Sequence, residues 1–448
     1  MKNNKLMITA SILMLSFILS GCGNAVKTVD TPDEVQALPD EGTDIYVASD
    51  LHYLAPVMND KGEAYKRYTA VSDGKNLDHI DKILNAFKND VVEKTPDVLV
   101  LSGDLTNNGD KESHLALADA LEEIEDAGTK VFVTPGNHDI NNPHARSFIG
   151  SKQTKVESVT PMEFSEIYGE YGFSEAFMRD EHSLSYVAEA SDDVWILLVD
   201  TSKYKRNIEL NYPETGGIIS LGTFTWMKEV LSSAEVKGAE VITVSHHNAL
   251  IHSPIAVEDY IIDNNEEYLN IVRRHGVRLN LTGHIHIQDI KSTDEKEPFY
   301  EISTNALSVY PHKYGMLRVL PDLSMEYESA RTDLRDVMAG SSLKEFRSLE
   351  DWSRDYFEKA SVTRMHARFM EESNATKEDA DLMAEAIGKL NVLYFGGDED
   401  KVTQEMLSHE GLKIMSKYSE DRSAYYMDRI LNEIGPDDNR LSIPARKH

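Results

Sequence analysis

The chain reads as a layered α/β domain followed by an all-α C-terminal module. Three features point to this. Short β-rich runs alternate with helix-periodic stretches from Thr43 to about Glu328. Many of the β-rich runs end abruptly in Asp, Asn or His next to a glycine. From Ser342 onward helix formers dominate, with apolar residues at helical spacing.

The N-terminus comes first. Lys2 and Lys5 precede an apolar run from Leu6 to Leu19. That run is short for a membrane span, which needs about 20 residues, and fits a secretory signal. It ends in Leu19-Ser20-Gly21-Cys22, which resembles the lipobox of bacterial lipoproteins. The resemblance implies cleavage before Cys22 and attachment of diacylglycerol to its thiol. Cys22 is the only cysteine, so an internal disulfide is excluded, and lipidation would remove an exposed free thiol. The expected organisation is a signal peptide over 1–21, a polar, acidic tether over 22–42, a catalytic domain over 43–335 and a helical module over 340–448. The expected location is the extracytoplasmic face of a bacterial cell membrane.

Within the α/β domain, strands are expected at Thr43 to Ser49, Val98 to Leu101 and Val131 to Thr134. Helices are expected where Leu77, Ile80, Leu84, Phe87 and Val91 recur, and from Lys111 to Ala127, closed by Gly128. Ser183 to Val187 and Val194 to Val199 read as paired strands, and Thr223 to Val236 as a helix. Strands at Val241 to Val244 and Val277 to Leu281 follow, the second after a helix ending near His275-Gly276. Short strands run on from about Ile287 to Tyr327. In the C-terminal module, Ala375 to Gly388 and Lys401 to Tyr418 are the clearest helices, broken by Gly396-Gly397.

Composition limits the partners. Hydrophobic residues make up 41%, enough for a sizeable core, and the formal charge is −31. A surface this acidic repels polyanions, so long nucleic acids are poor partners. A small anion remains possible where bound cations invert the local field.

The candidate site follows from the strand ends. Asp50-Leu51-His52, Gly103-Asp104, Gly136-Asn137-His138-Asp139, Ser245-His246-His247 and Gly283-His284-Ile285-His286 each sit just past an expected strand. Ligands of open α/β sheets bind at such carboxyl ends. Imidazole with carboxylate suits borderline divalent metals such as zinc, manganese and iron. Taken singly, Asp-x-His or Gly-Asp is usually a turn, since Gly and Asp are turn residues, and Gly-His-x-His is a stronger signal that does not by itself decide. His246 and His247 are adjacent, and strand alternation sends neighbours to opposite faces, which favours His246 as the ligand. His79, His114, His144, His182 and His252 have no motif around them and read as surface or core histidines, with His144 and His252 the ones to watch because they follow ligand-bearing loops.

In this order the motifs resemble those of calcineurin-like metallophosphoesterases, over about Asp44 to Glu328. The resemblance implies an αββα two-sheet sandwich and two divalent metal ions (Mn, Fe or Zn). Asp50, His52 and His286 would hold the first metal, Asp104 would bridge, and Asn137, His246 and His284 would hold the second. His138 would be catalytic, beside the metals without binding them. Asp139 would orient it. Asn107 stands where purple acid phosphatases carry a tyrosine ligand, and Asp139 stands where Ser/Thr protein phosphatases and bacterial 5′-nucleotidases carry glutamate. The pattern looks most like class III cyclic-nucleotide phosphodiesterases. It implies hydrolysis of a small phosphodiester, cyclic nucleotides first. A phosphomonoesterase and a non-catalytic envelope sensor or scaffold are the alternatives. Specificity is expected in the loops Leu54 to Lys75 and Lys203 to Thr215.

Overall fold

The computed structural model describes residues 42–71, 73–253, 256–335, 337, 346–372, 374–418, 426, 430–431 and 437–446. The expected signal peptide, Cys22 and all of the tether but Gly42 lie outside the described residues.

Among the described residues, two large sheets form the α/β domain, beside a two-stranded hairpin of Arg146–Ile149 and Lys152–Lys155. The first is six-stranded and runs, edge to edge, Arg440–Ile443, Met325–Arg331, Lys313–Val319, Thr43–Ala48, Val98–Leu101, Lys130–Val133. The second is seven-stranded: Asp289–Ser292, Tyr300–Ser303, Leu279–Thr282, Glu240–Ser245, Val194–Val199, Tyr186–Ser191, Met178–Arg179. Each sheet has a parallel centre. Thr43–Ala48, Val98–Leu101 and Lys130–Val133 run side by side in one. Val194–Val199, Glu240–Ser245, Leu279–Thr282 and Tyr300–Ser303 do so in the other.

Side-chain alternation explains the layering. Along Val194–Val199, Ile196 and Leu198 join the core shared with Ile45, Val47 and Leu99 of the first sheet. Trp195, Leu197 and Val199 point the other way, onto Phe224, Met227 and Val230 of the helix Leu221–Lys237. The first sheet is covered on its outer side by Ile80–Lys94 and Lys111–Asp126, through Ile83, Phe87, Leu117 and Leu121. Helices, sheet, sheet, helices is the resulting order: an αββα sandwich.

The helical region is led by Leu349–Glu372, in which Leu349, Ser353, Phe357, Ser361, Met365 and Phe369 are buried. These recur every fourth residue and so form one row along the helix. Phe357 packs by Tyr310, and Ser353 meets His312 and Asn76 of the sandwich. Met365 and Phe369 pack with Lys377–Tyr394. Lys313, buried in the first sheet, donates to the Gly396 carbonyl, to Asn439 at 2.5 Å and to Asp398 at 3.3 Å. Arg331 pairs with the same Asp398 at 2.6 Å. A buried, multiply satisfied ammonium joins the helical region to the sandwich.

Several expectations shift. Residues 183–187 do not open a strand; the strand is Tyr186–Ser191. Ser183 is drawn into a turn, donating to Asp180 at 2.5 Å and sharing a bond with Ser185 at 2.8 Å. Lys401 to Tyr418 is not one helix but short turns around Gln404–Leu407 and Glu410–Met415. Thr403 caps the first of these. Gly411 then lies against Leu382, where an added Cβ would sit 2.0 Å from the carbonyl oxygen. The chain also does not finish in helix: Arg440–Ile443 returns to pair antiparallel with Met325–Arg331.

Candidate metal centre

The parallel strands of both sheets deliver their carboxyl ends to one place. Asp50 and His52 follow Thr43–Ala48, Asp104 follows Val98–Leu101, and Asn137 with His138 follows Lys130–Val133. His246 follows Glu240–Ser245; His284 and His286 follow Leu279–Thr282. The backbone there is unusual. Asp50, His52, Asp104, His284 and His286 all have positive φ, between 42° and 72°. Each such non-glycine residue costs on the order of 1–3 kcal/mol and persists only where its surroundings hold it. The holding bonds are Asp50 N–H to Gly103 O at 3.0 Å, His52 N–H to Asp104 O at 2.9 Å and His284 N–H to Asp50 Oδ2 at 2.9 Å. Gly136 is required for close approach: a Cβ there would lie 2.2 Å from the amide nitrogen and Oδ1 of Asp104.

The side chains form two lobes about Asp104. In one, His286 Nε2 lies 3.3 Å from Asp50 Oδ1 and 3.1 Å from His52 Nε2. In the other, His246 Nε2 lies 3.2 Å from Asn137 Oδ1 and 3.2 Å from His284 Nδ1. Asp104 Oδ2 stands between, 3.7 Å from His52 Nε2 and 3.4 Å from His246 Nε2.

These residues suit metal ions. His246 Nδ1–H donates to the Ser102 carbonyl at 2.9 Å, which leaves the Nε2 lone pair facing inward. His284 Nε2–H donates to the Asp259 carbonyl at 3.0 Å, which leaves Nδ1 facing inward. Lone pairs of His246, His284, Asn137 and Asp104 therefore converge with no proton among them. Asp50 Oδ1 is buried without a hydrogen-bond partner, although Oδ2 accepts from Ser49 and the His284 amide. A buried orphan carboxylate oxygen is costly unless a cation meets it. The carboxylates call for positive charge at the site: burial opposes a charged His246, yet Asp104 and Asp50 hold it up at about 9, a charge that a metal ion would supply in place of the Nε2 proton. The donors are nitrogen and oxygen with no thiolate, the set for borderline divalent ions.

His247 belongs elsewhere. Its Nε2 bonds the Thr215 carbonyl at 2.8 Å and its Nδ1 bonds Thr201 Oγ1 at 2.7 Å, so both ring nitrogens are occupied. His246, not His247, faces Asp104.

His138 stands at the rim. Its side chain is 25% exposed where that of His52 is 0%, so it can meet a substrate. Its Nδ1–H donates to the Asn107 carbonyl at 2.7 Å, and Nε2 lies 4.0 Å from Asp104 Oδ2. Asp139 does not orient it, contrary to expectation. The Asp139 carboxylate accepts from the amides of Leu105 (3.1 Å), Thr106 (2.9 Å) and Gly136 (2.8 Å) and from Thr106 Oγ1 (3.0 Å). Amide donors surround it, so it binds the Asp104 loop to the Asn137 loop instead. Burial, with the charge of Asp104, pushes its carboxyl up to about 7.

One residue carried no motif signal. Lys75 is buried, and burial lowers its ammonium pKa against the pull of Asp104 and Asp50. It lies in one of the loops expected to set specificity, and only the fold brings its charge to the centre.

The histidines outside the motifs take structural places. His144 and His182 are exposed, and His114 is buried between Tyr168 and the Asp139 carbonyl. His252 is buried between Asp289 at 2.5 Å and Glu301 at 3.1 Å. Glu301 also accepts from the amides of Ala249 and Leu250, so this cluster secures the segment after His246. Burial disfavours the imidazolium, but both carboxylates raise His252 to about 9. A raised folded pKa stabilises fully below the unfolded value near 6.5 and loses that contribution as pH rises through about 9. Melting temperature is expected to fall between pH 7 and 9.5, and the fall to shrink in His252→Gln. His252→Ala leaves two buried carboxylates and is expected to cost about 3–5 kcal/mol in urea denaturation at pH 6.5. Identical pH profiles for the parent and His252→Gln would refute the assignment.

The profile of the calcineurin-like phosphoesterase family matches residues 43–288, more than half of the chain. The chain belongs to that family. A dinuclear metal centre is the family's apparatus, and the His/Asp cluster here fits it. Residues 341–437 match a second profile, the C-terminal domain of cyclic nucleotide phosphodiesterase. A relative from Moraxella catarrhalis (strain BBH18), named "Probable cyclic nucleotide phosphodiesterase", is 22% identical over 243 residues, covering 53% of this chain and 69% of its own. Among solved structures, a dimetal phosphatase from Danio rerio is 14% identical with a TM-score of 0.46, covering 65% of this chain and 96% of that one. A purple acid phosphatase from yellow lupin (Lupinus luteus) seeds is 12% identical with a TM-score of 0.41, covering 65% and 52%.

Proposed function

We propose that this calcineurin-like phosphoesterase hydrolyses small phosphodiesters, cyclic nucleotides foremost. The observation that carries the reading is the pairing of a complete Asp/His/Asn centre with a C-terminal segment similar to that of cyclic nucleotide phosphodiesterases. The relative from Moraxella catarrhalis, by its name, agrees.

Two divalent ions, manganese, iron or zinc, would supply Lewis acidity to the phosphoryl oxygens and acidify a water. Asp50, His52 and His286 would hold one, Asn137, His246 and His284 the other, with Asp104 shared. His138 serves the leaving group. The Asn107 carbonyl keeps the Nδ1 proton in place, so Nε2 is the nitrogen that exchanges protons with substrate. As water adds to phosphorus and the ester P–O bond breaks, Nε2, which carries a proton only when the ring is an imidazolium, gives that proton to the departing alkoxide and recovers one shed by the attacking water. An aliphatic alkoxide is a strongly basic leaving group, and such a proton eases its departure from a diester.

A phosphomonoesterase is the second reading. Lys75 favours it, since a buried ammonium near Asp104 would offset the extra charge of a monoester. The deciding comparison, with manganese present, sets bis(p-nitrophenyl) phosphate and cyclic nucleotides against p-nitrophenyl phosphate and nucleoside monophosphates. Higher kcat/KM on the diesters is expected; higher kcat/KM on the monoesters would replace the first reading with the second.

We also propose that Cys22 is the diacylated N-terminus, anchoring the enzyme outside a bacterial membrane. The motif Leu19-Ser20-Gly21-Cys22 supports this. One acyl chain binds membranes only marginally, and diacylglycerol provides two. Mass spectrometry of the membrane fraction should find the modified cysteine as the first residue; an unmodified Cys22 inside a longer mature chain would reject the anchor.

A further inference from the structure

Beside the centre lies a cavity of about 240 Å³ with two unlike walls. One wall is the ligand loop, with His284 and His286, together with Tyr260. The Tyr260 ring sits 5.1 Å from that of His284, centroid to centroid. The opposite wall is the helix Leu349–Glu372, which presents Phe357, Arg364 and Arg368. Arg364 and Arg368 are four residues apart and so share a helix face.

The two walls are held in register by packing. His284 and His286 alternate with Ile285 and Ile287, and both isoleucines enter the core formed by Met365, Phe369, Met383 and Ile387 of the helical region. The histidines turn to the centre and the isoleucines to the helices. The helix with the arginines is thereby seated directly on the metal-binding loop, and the cavity between them is preformed.

Its chemistry is that of a nucleobase site. Tyr260 provides aromatic surface, on which a base can stack. Guanidinium groups donate to the acceptor edge of a base. Asp73 engages Arg364 Nη2 at 3.2 Å, and Glu372 engages Arg368 Nε at 3.0 Å. A guanidinium has five N–H donors, so each retains others for a ligand. A cavity of about 240 Å³ is of a size to take a single base.

Building on the proposed function, we infer that Tyr260, Arg364 and Arg368 form a subsite for the base of a mononucleotide ester. The helical region is then part of the active site, and it sets substrate specificity while the metal ligands perform the reaction. These three are specificity residues, and their effect falls on KM.

The test uses the full chain loaded with manganese. Arg364→Met and Tyr260→Ala are compared with the parent on a cyclic nucleotide and on bis(p-nitrophenyl) phosphate, which has no base. Each is expected to raise KM for the cyclic nucleotide about tenfold, the loss of one base contact. KM for bis(p-nitrophenyl) phosphate and the metal content should stay within twofold in Arg364→Met; Tyr260→Ala, whose ring lies against that of His284, is compared at matched metal content. Arg354→Met, on the same helix outside the cavity, should change nothing. Calorimetric binding of GMP and AMP provides a readout independent of turnover, with about tenfold weaker binding expected in both variants. If the parent cleaves only monoesters but the variants bind nucleotide more weakly, the diesterase reading falls and the subsite stands. Nucleotide KM and Kd within twofold of the parent, or equal KM increases on both substrates, would overturn the subsite.

Discussion

Asp104→Ala is expected to empty the centre of metal and abolish turnover. Asp104 Oδ2 lies between the lobes, within 3.7 Å of His52 Nε2 and 3.4 Å of His246 Nε2, so its loss weakens both sites together. Losing an outer partner of a metal ligand costs about 10–100-fold in affinity, and losing a shared ligand should cost more. There is a second consequence. Asp104 Oδ1 accepts the His138 amide at 2.8 Å, so the alanine variant also frees the loop that carries His138. Asp104→Asn preserves the shape and an acceptor for that amide while removing the charge. It should retain the fold by circular dichroism and still lose most of its metal. Elemental analysis of both variants checks this, and a fully metallated, active Asp104→Ala protein would contradict the shared-ligand role.

His138→Ala is expected to behave in the opposite way, keeping metal and losing turnover by about 10²–10⁴. The His138 ring stands edge-on to that of His52, with centroids 4.8 Å apart, and its Nε2 is 4.0 Å from Asp104. Truncating it removes the proposed proton donor and leaves Asp50, His52, Asn137, His246, His284 and His286 in place. The loss should be greater for substrates with a poor leaving group, such as a cyclic nucleotide, than for bis(p-nitrophenyl) phosphate, whose phenolate departs without a proton. An equal loss on both would show that His138 stabilises charge at phosphorus instead of serving the leaving oxygen. Metal-free His138→Ala protein would make it a ligand.

The residues of the centre were legible because their signals are local. A strand ending in Asp-Leu-His or Gly-His-Ile-His announces both the element and the donors it carries, and parallel strands bring such ends together. The choice between His246 and His247 was also local, since alternation along a strand opposes neighbours. Helical spacing exposed the C-terminal region in the same way, although not its interruption at Thr403 and Gly411, where capping and close packing against Leu382 override propensity.

The sequence by itself determined the order of the ligands, their chemical type and the elements that present them, because these depend on residue identity and short periodicities. Tertiary structure alone decided what each polar atom meets. It gave Asp139 to the amides of Leu105, Thr106 and Gly136, and His138 to the Asn107 carbonyl. It placed the charge of Lys75 at the centre, returned Arg440–Ile443 to the first sheet, and buried Ile285 and Ile287 among helices that begin far along the chain. The physical reason is range. Hydrogen-bond partners, buried charges and core neighbours are settled between residues distant in sequence, where no local pattern records which donor will face which acceptor.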